Sequence, residues 1–177
     1  MLETHVLLRE PGKVLQHLNE ALTALAEDED FPRFVTALYT VIDLDKGEVH
    51  IANAGHPAPI WRVQDSSGTH FELCPVDKIG PALGLIPEES FNCNQFPLTD
   101  MTEFLFFTDG IIEQKTKSGE EWGVENLEEA VLDHESDELP EQLRAIAEEL
   151  KEVAGAKELE DDVCIIAVRL SPTEQSS

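Results

Sequence analysis

The chain has 177 residues, one domain's worth, which is enough to bury a core without covalent staples. Twelve Lys+Arg stand against 37 Asp+Glu, a formal charge of −25, so neither nucleic acid nor an anionic membrane surface is expected as a partner, because both repel the chain on approach. Hydrophobic residues make up 41% of the chain, which argues for an ordered fold.

No stretch approaches the roughly 18 consecutive apolar residues of a membrane helix, and Met1-Leu2-Glu3-Thr4-His5 has no basic leader pattern. No membrane insertion is expected. Cys74, Cys93 and Cys164 are odd in number and scattered, which argues against a disulfide framework and for a cytoplasmic setting.

The first element is a helix. Pro11 suits its first turn, and Val14, Leu15, Leu18, Leu22 and Leu25 make an apolar stripe opposite Lys13, Gln16, Asn19 and Glu20. The acidic run Glu27-Asp28-Glu29-Asp30 with Pro32 ends it. Phe34 to Ile42 is β-branched and aromatic, and reads as a strand. Turn residues Asp43 to Gly47 lead into a returning strand, Val49 to Asn53. Ile60 to Val63 and Thr69 to Leu73 pair about Asp65-Ser66-Ser67-Gly68, and two strands follow at about Phe91–Phe96 and Glu103–Thr108. Short links predict antiparallel pairing throughout.

Helical spacing returns at Leu127, Ala130 and Val131, then at Leu139, Leu143, Ile146, Ala147 and Leu150. Val163 to Val168 is apolar almost without a break, which predicts a central strand buried on both faces. The tail from Ser171 to Ser177 is polar. These elements make one α+β domain over residues 1–170. Between Gly119 and Asp162, 17 acids stand against Arg144, Lys151 and Lys157; helix-surface spacing makes most of them a solvated face.

Three segments could carry chemistry. In Glu103 to Gly110 an apolar strand ends in Asp109, and Gly110 lets the backbone turn sharply. A carboxylate on a rigid strand end is well held for a hard cation, though Asp-Gly alone is also ordinary turn chemistry. Glu160-Asp161-Asp162 opens the last strand, where adjacent acids repel unless solvated or neutralised. If that strand pairs antiparallel with the one ending at Thr108, Asp109 and Asp161 reach one edge and form half of a magnesium or manganese site. Without that pairing they are a polar strand entry. The third segment is Asn53-Ala54-Gly55-His56-Pro57-Ala58-Pro59, an extended loop in which a lone His is commonly a structural hydrogen-bonder.

In order, these segments resemble the SpoIIE-type branch of the metal-dependent (type 2C, PPM) protein serine/threonine phosphatases. The likeness runs through Phe34–Tyr39, Ile42-Asp43 with Gly47, Asn53–Pro59, Gly80–Leu85, Phe107–Glu113, Trp122-Gly123 and Asp161-Asp162-Val163, over roughly residues 5–170. It implies an antiparallel β-sandwich flanked by helices, with a two-metal cluster of Mn2+ or Mg2+ held by strand-end carboxylates. A metal-activated water would hydrolyse phosphoserine or phosphothreonine. By motif match, Asp109 and Asp161 would be the metal ligands and, through the metal-bound water, the catalytic residues. Asp162, Gly110, Asn53, Gly55 and His56 would lie beside the site. The resemblance implies a phosphorylated signalling protein as partner, such as an anti-sigma-factor antagonist in sigma-factor regulation.

The family's opening Gly-Asp-x-x-Asp and Asp-Val-x-Gly-His-Gly segments do not occur here, so the match implies an N-terminally truncated domain lacking about half the metal shell. Weak activity or none is then expected, along with open sheet edges and a helix face that invite dimerisation. A non-catalytic phosphatase-like module that binds a signalling partner is the alternative. Cys164 stands where the family usually has Thr.

Overall fold

The computed structural model describes residues 7–26, 34–66, 68–98, 101–135, 138–155 and 159–170. Its elements in chain order are α1 (Pro11–Ala26), β1 (Ala37–Asp43), β2 (Glu48–Ala54), β3 (Ile60–Asp65), β4 (Gly68–Leu73), β5 (Asn94–Pro97) and β6 (Met101–Phe107). A 3-10 turn (Asp109–Ile111), α2 (Gly123–Asp133), α3 (Leu139–Ala154) and β7 (Ile165–Arg169) follow. They divide into two compact units, Met1–Ala58 with Pro75–Thr99, and Pro59–Cys74 with Asp100–Ser177.

The first unit is a three-stranded antiparallel sheet, β1-β2-β5, with α1 packed on β1 and β2. The β1–β2 hairpin closes with Asp43 opposite Glu48, and the Asp43 carboxylate accepts the Lys46 amide at 3.1 Å. Leu15, Ala52, Ala54, Leu83 and Phe91 form its core. Two helix expectations are corrected. Asn19, read onto the polar face, is buried, while Leu18 and Leu25 of the expected stripe are exposed. The physical reason is a specific polar partner: Asn19 Nδ2 donates to the Ile86 carbonyl at 2.9 Å, and its Oδ1 accepts the Gly84 amide at 2.7 Å. An amide satisfied at both ends can be buried cheaply, and its turn of the helix faces inward at the stripe's expense.

The strand read from Phe34 starts at Ala37. Val35 makes only an isolated bridge to Leu83, and Phe34 is exposed. The strand read from Phe91 is the shorter β5, because Phe91 turns into the core instead. The acidic end of the first helix, Ser67 of the second hairpin turn and the tail lie outside the described residues.

The second unit is a four-stranded antiparallel sheet in the order β4-β3-β6-β7, with α2 against β4 and α3 against β7. Ile60, Phe71, Leu105, Phe107, Ile111 and Trp122 pack with the apolar faces of α2 and α3. The acids of those helices, Glu125, Glu129, Asp133, Glu141, Glu148 and Glu152 among them, are exposed as expected. Glu128 differs: it accepts the Leu73 amide at 3.0 Å, and burial pushes its carboxyl upward.

The expectation for the last strand is corrected too. β7 starts at Ile165 and is the end strand of the described sheet, paired with β6 alone, and its Ile166 is 56% exposed. A continuous apolar run records low polarity and says nothing about whether a second neighbour is present.

Candidate metal centre

Two chain segments meet at one edge of the second unit's sheet. The β6–β7 ladder runs from Glu103 opposite Arg169 to Phe107 opposite Ile165, and one further backbone bond, Thr108 N to Cys164 O at 3.1 Å, extends it. Asp109 therefore leaves β6 where Asp161 and Asp162 enter β7. This is the antiparallel arrangement on which the sequence reading depended.

Gly110 is what allows the segments to close. A Cβ on it would lie 2.7 Å from the Asp162 carbonyl oxygen and 3.2 Å from the Asp161 Cβ, so a side chain there would push the two acids' segment away. Each carboxylate is oriented by the next amide in the chain. Gly110 N donates to Asp109 Oδ1 at 3.1 Å, and Asp162 N donates to Asp161 Oδ1 at 2.7 Å. Among the described residues the second oxygen of each has no hydrogen-bond partner, and both side chains lie at the surface.

A cavity of about 260 Å³ opens beside Asp161, lined by Gly110, Glu113, Gln114, Lys115, Glu121 and Glu160. Lys115 is the basic group in that lining; its ammonium donates to Glu121 at 2.7 Å, and that bond holds its pKa above the ordinary value. Gln114 was not singled out by the sequence, where a polar residue in a polar segment carries no signal. It is buried, and its Oε1 accepts the Glu160 amide at 3.1 Å.

The donor chemistry suits a hard cation. Carboxylate oxygens on anchored strand ends are the ligands Mg2+ and Mn2+ prefer. Among the described residues, though, no group of three or more His, Cys, Asp or Glu side chains is gathered for a metal. Asp109 and Asp161 fit as part of a shell, and water or further groups must complete it.

Asn53, Gly55 and His56 belong to the first unit, where the Asn53 side chain closes a loop on His56. Asn53 is buried; its Nδ2 donates to the His56 carbonyl at 2.7 Å and its Oδ1 accepts the His56 amide at 2.9 Å. Gly55 takes φ +70°, with the Ala82 backbone nitrogen 3.1 Å from where a Cβ would stand. The His56 Nδ1 lies 3.2 Å from the Thr36 hydroxyl. This geometry explains the Asn-x-Gly-His pattern as loop closure.

The sequence profile of the family described as Stage II sporulation protein E (SpoIIE) matches residues 1–171. The chain belongs to the SpoIIE family. Among curated relatives of this SpoIIE-family chain, the phosphoserine phosphatase RsbP of Bacillus subtilis (strain 168) is 28% identical over 89% of the chain and 36% of RsbP. Protein IcfG of Synechocystis is 29% identical over 80% of the chain and 22% of IcfG. The SpoIIE-family chain thus spans about a third or less of these relatives' length. Of solved structures, the SiaA-PP2C domain of Pseudomonas aeruginosa superposes with a TM-score of 0.73 at 20% identity, covering 92% of this chain and 62% of that one. The phosphatase domain of SpoIIE from Bacillus subtilis, presoaked with Mn, gives 0.55 at 17% identity, covering 88% and 64%. These likenesses establish a PP2C-like fold of antiparallel sheets flanked by helices.

Proposed function

We propose that this chain is the metal-holding portion of a protein serine/threonine phosphatase that acts on a phosphorylated signalling protein. The observation that carries the reading is the β6–β7 pairing, which puts Asp109 and Asp161 at one sheet edge with Gly110 closed against them. The RsbP relationship supports phosphoserine as the substrate group, and an anti-sigma-factor antagonist is the kind of partner the motif match implies.

Asp109 and Asp161 would hold Mn2+ or Mg2+, which when bound would supply Lewis acidity toward a phosphoryl group and lower the pKa of water. One oxygen of each carboxylate is fixed by a backbone amide, which would limit the freedom each side chain loses on binding a cation, and the Lys115 ammonium adds a positive charge on the cavity wall. Two carboxylates hold a hard cation weakly, so the 177-residue chain alone turns over slowly. Among the described residues no helix is long and apolar enough to cross a membrane.

The test is Mn2+ titration of the chain by calorimetry, alongside Mn2+-dependent hydrolysis of a phosphoserine peptide. Asp109→Asn and Asp161→Asn should each abolish measurable Mn2+ uptake. Uptake indifferent to both substitutions overturns the site. Absence of uptake with metal-independent capture of the phosphoprotein favours a non-catalytic binding module.

A further inference from the structure

We propose that Thr108 and Gln114 are positioning residues, a pair of side-chain clasps that fix Asp161 against Asp109. The inference rests on the metal-site reading above, but it concerns residues with no role in holding the cation.

Backbone pairing between the two segments stops, among the described residues, at the Thr108 N to Cys164 O bond. Beyond it, side chains take over. The Thr108 hydroxyl accepts the Cys164 amide at 3.0 Å and donates to the Asp162 carbonyl at 3.1 Å, which uses its one proton and one of its lone pairs. Six residues after Thr108, Gln114 Oε1 accepts the Glu160 amide at 3.1 Å. The clasps thus grip the backbone at Asp162 and at Glu160, immediately either side of Asp161.

Gln114 is itself immobilised. It is 2% exposed, its Nε2 donates to the Lys115 carbonyl at 3.0 Å, and its own carbonyl accepts the Trp122 amide at 2.9 Å. The electrostatics show why clasps are needed. Asp109, Glu160, Asp161 and Asp162 are four carboxylates on two adjoining segments, and in the absence of a cation they repel. Neutral hydrogen bonds to the backbone hold the segments together without competing for the carboxylate oxygens. The site is then preorganised before a cation arrives.

The experiment uses the 177-residue chain with Thr108→Val, Thr108→Ser and Gln114→Met. Three quantities are measured: amide hydrogen exchange at Glu160 and Cys164 by NMR, Mn2+ affinity by calorimetry, and the urea unfolding midpoint. Thr108→Val should speed exchange at Cys164 by about tenfold and Gln114→Met at Glu160 by a similar factor. Each should weaken Mn2+ affinity by about 10–100-fold, as loss of a group that orients a ligand does. Thr108→Ser keeps the hydroxyl and should restore both readouts. Unchanged exchange and affinity in Thr108→Val and Gln114→Met overturn the clasps. So does an affinity loss that only tracks the urea midpoint and is not rescued by Ser. If wild type and Asp109→Asn take up Mn2+ equally, the metal reading fails separately, and local exchange alone decides for or against the clasps.

Discussion

Both units bury neutral amide side chains, and among the described residues the second alone adds a buried charge. In the first, Asn19 and Asn53 are neutral amides, each with its oxygen and its nitrogen engaged by loop backbone. The second also buries neutral amides, Gln114 and Gln142, but it adds a charged group. Glu103 Oε2 accepts Arg169 Nε at 2.7 Å, while Oε1 is buried without a hydrogen-bond partner among the described residues. Arg169 also donates to Gln142 at 3.2 Å and to the Glu135 carbonyl at 3.3 Å, which links β6 and β7 to the helices. A satisfied amide closes a loop at low risk. A buried ion pair commits the strands to one register, because either partner alone is costly there.

The two motif loops follow the same division. In the first motif loop the Asn53 side chain turns both its polar atoms onto the His56 backbone, whereas the Asp109 turn keeps its backbone bonded and shows its carboxylate to solvent. A prominent motif is therefore not by itself a reactive one. What separates them is whether the side chain's hydrogen-bonding capacity is already used.

Substitutions can break this contrast in order of size. Arg169→Met leaves the Glu103 carboxylate buried without its cation and should cost about 3–5 kcal/mol in urea unfolding. A cost under about 1 kcal/mol would mean the charge is not sealed from water. Asn53→Ala removes two bonds of about 1 kcal/mol each and should cost about 2 kcal/mol while leaving Mn2+ affinity unchanged. A fall in that affinity would break the division between closing loop and reactive turn.

Cys74 offers a gentler probe of the second unit. Burial, helped by the Glu72 charge, pushes its thiol up to about 12. The folded pKa lies above the unfolded value of about 8.5. Its contribution to stability is complete below that value and is lost as pH rises toward 12. Unfolding midpoints should fall across that alkaline range in wild type and fall less in Cys74→Val. The smallest effect is expected from Asp109→Asn, which should move the unfolding midpoint by no more than about 0.5 kcal/mol, as surface substitutions do. A larger loss would make Asp109 a structural residue and erase the difference between the loops.

Much of this was legible from residue order. Strand-length apolar runs with short turns between them forecast antiparallel sheets, and Asp-Gly after an apolar strand marked the turn that the sheet edge presents. The errors share one cause. Asn19 looked solvent-facing because its type is polar, and the satisfying carbonyl and amide at Ile86 and Gly84 lie 67 and 65 residues away. Ile166 looked buried because its type is apolar, and the number of neighbouring strands is not written locally. Gln114 gave no signal, since its partner at Glu160 is 46 residues distant.

By itself, then, the sequence determined element types, family membership and which acids stand beside a glycine turn, because these depend on local periodicity and motif order. Only the tertiary structure decided that Asp109 and Asp161 share an edge, that Thr108 and Gln114 bridge their segments, and that Asn53 is spent on its own loop. Those facts depend on strand register and on hydrogen bonds between residues far apart in the chain, and no local pattern encodes a distant partner.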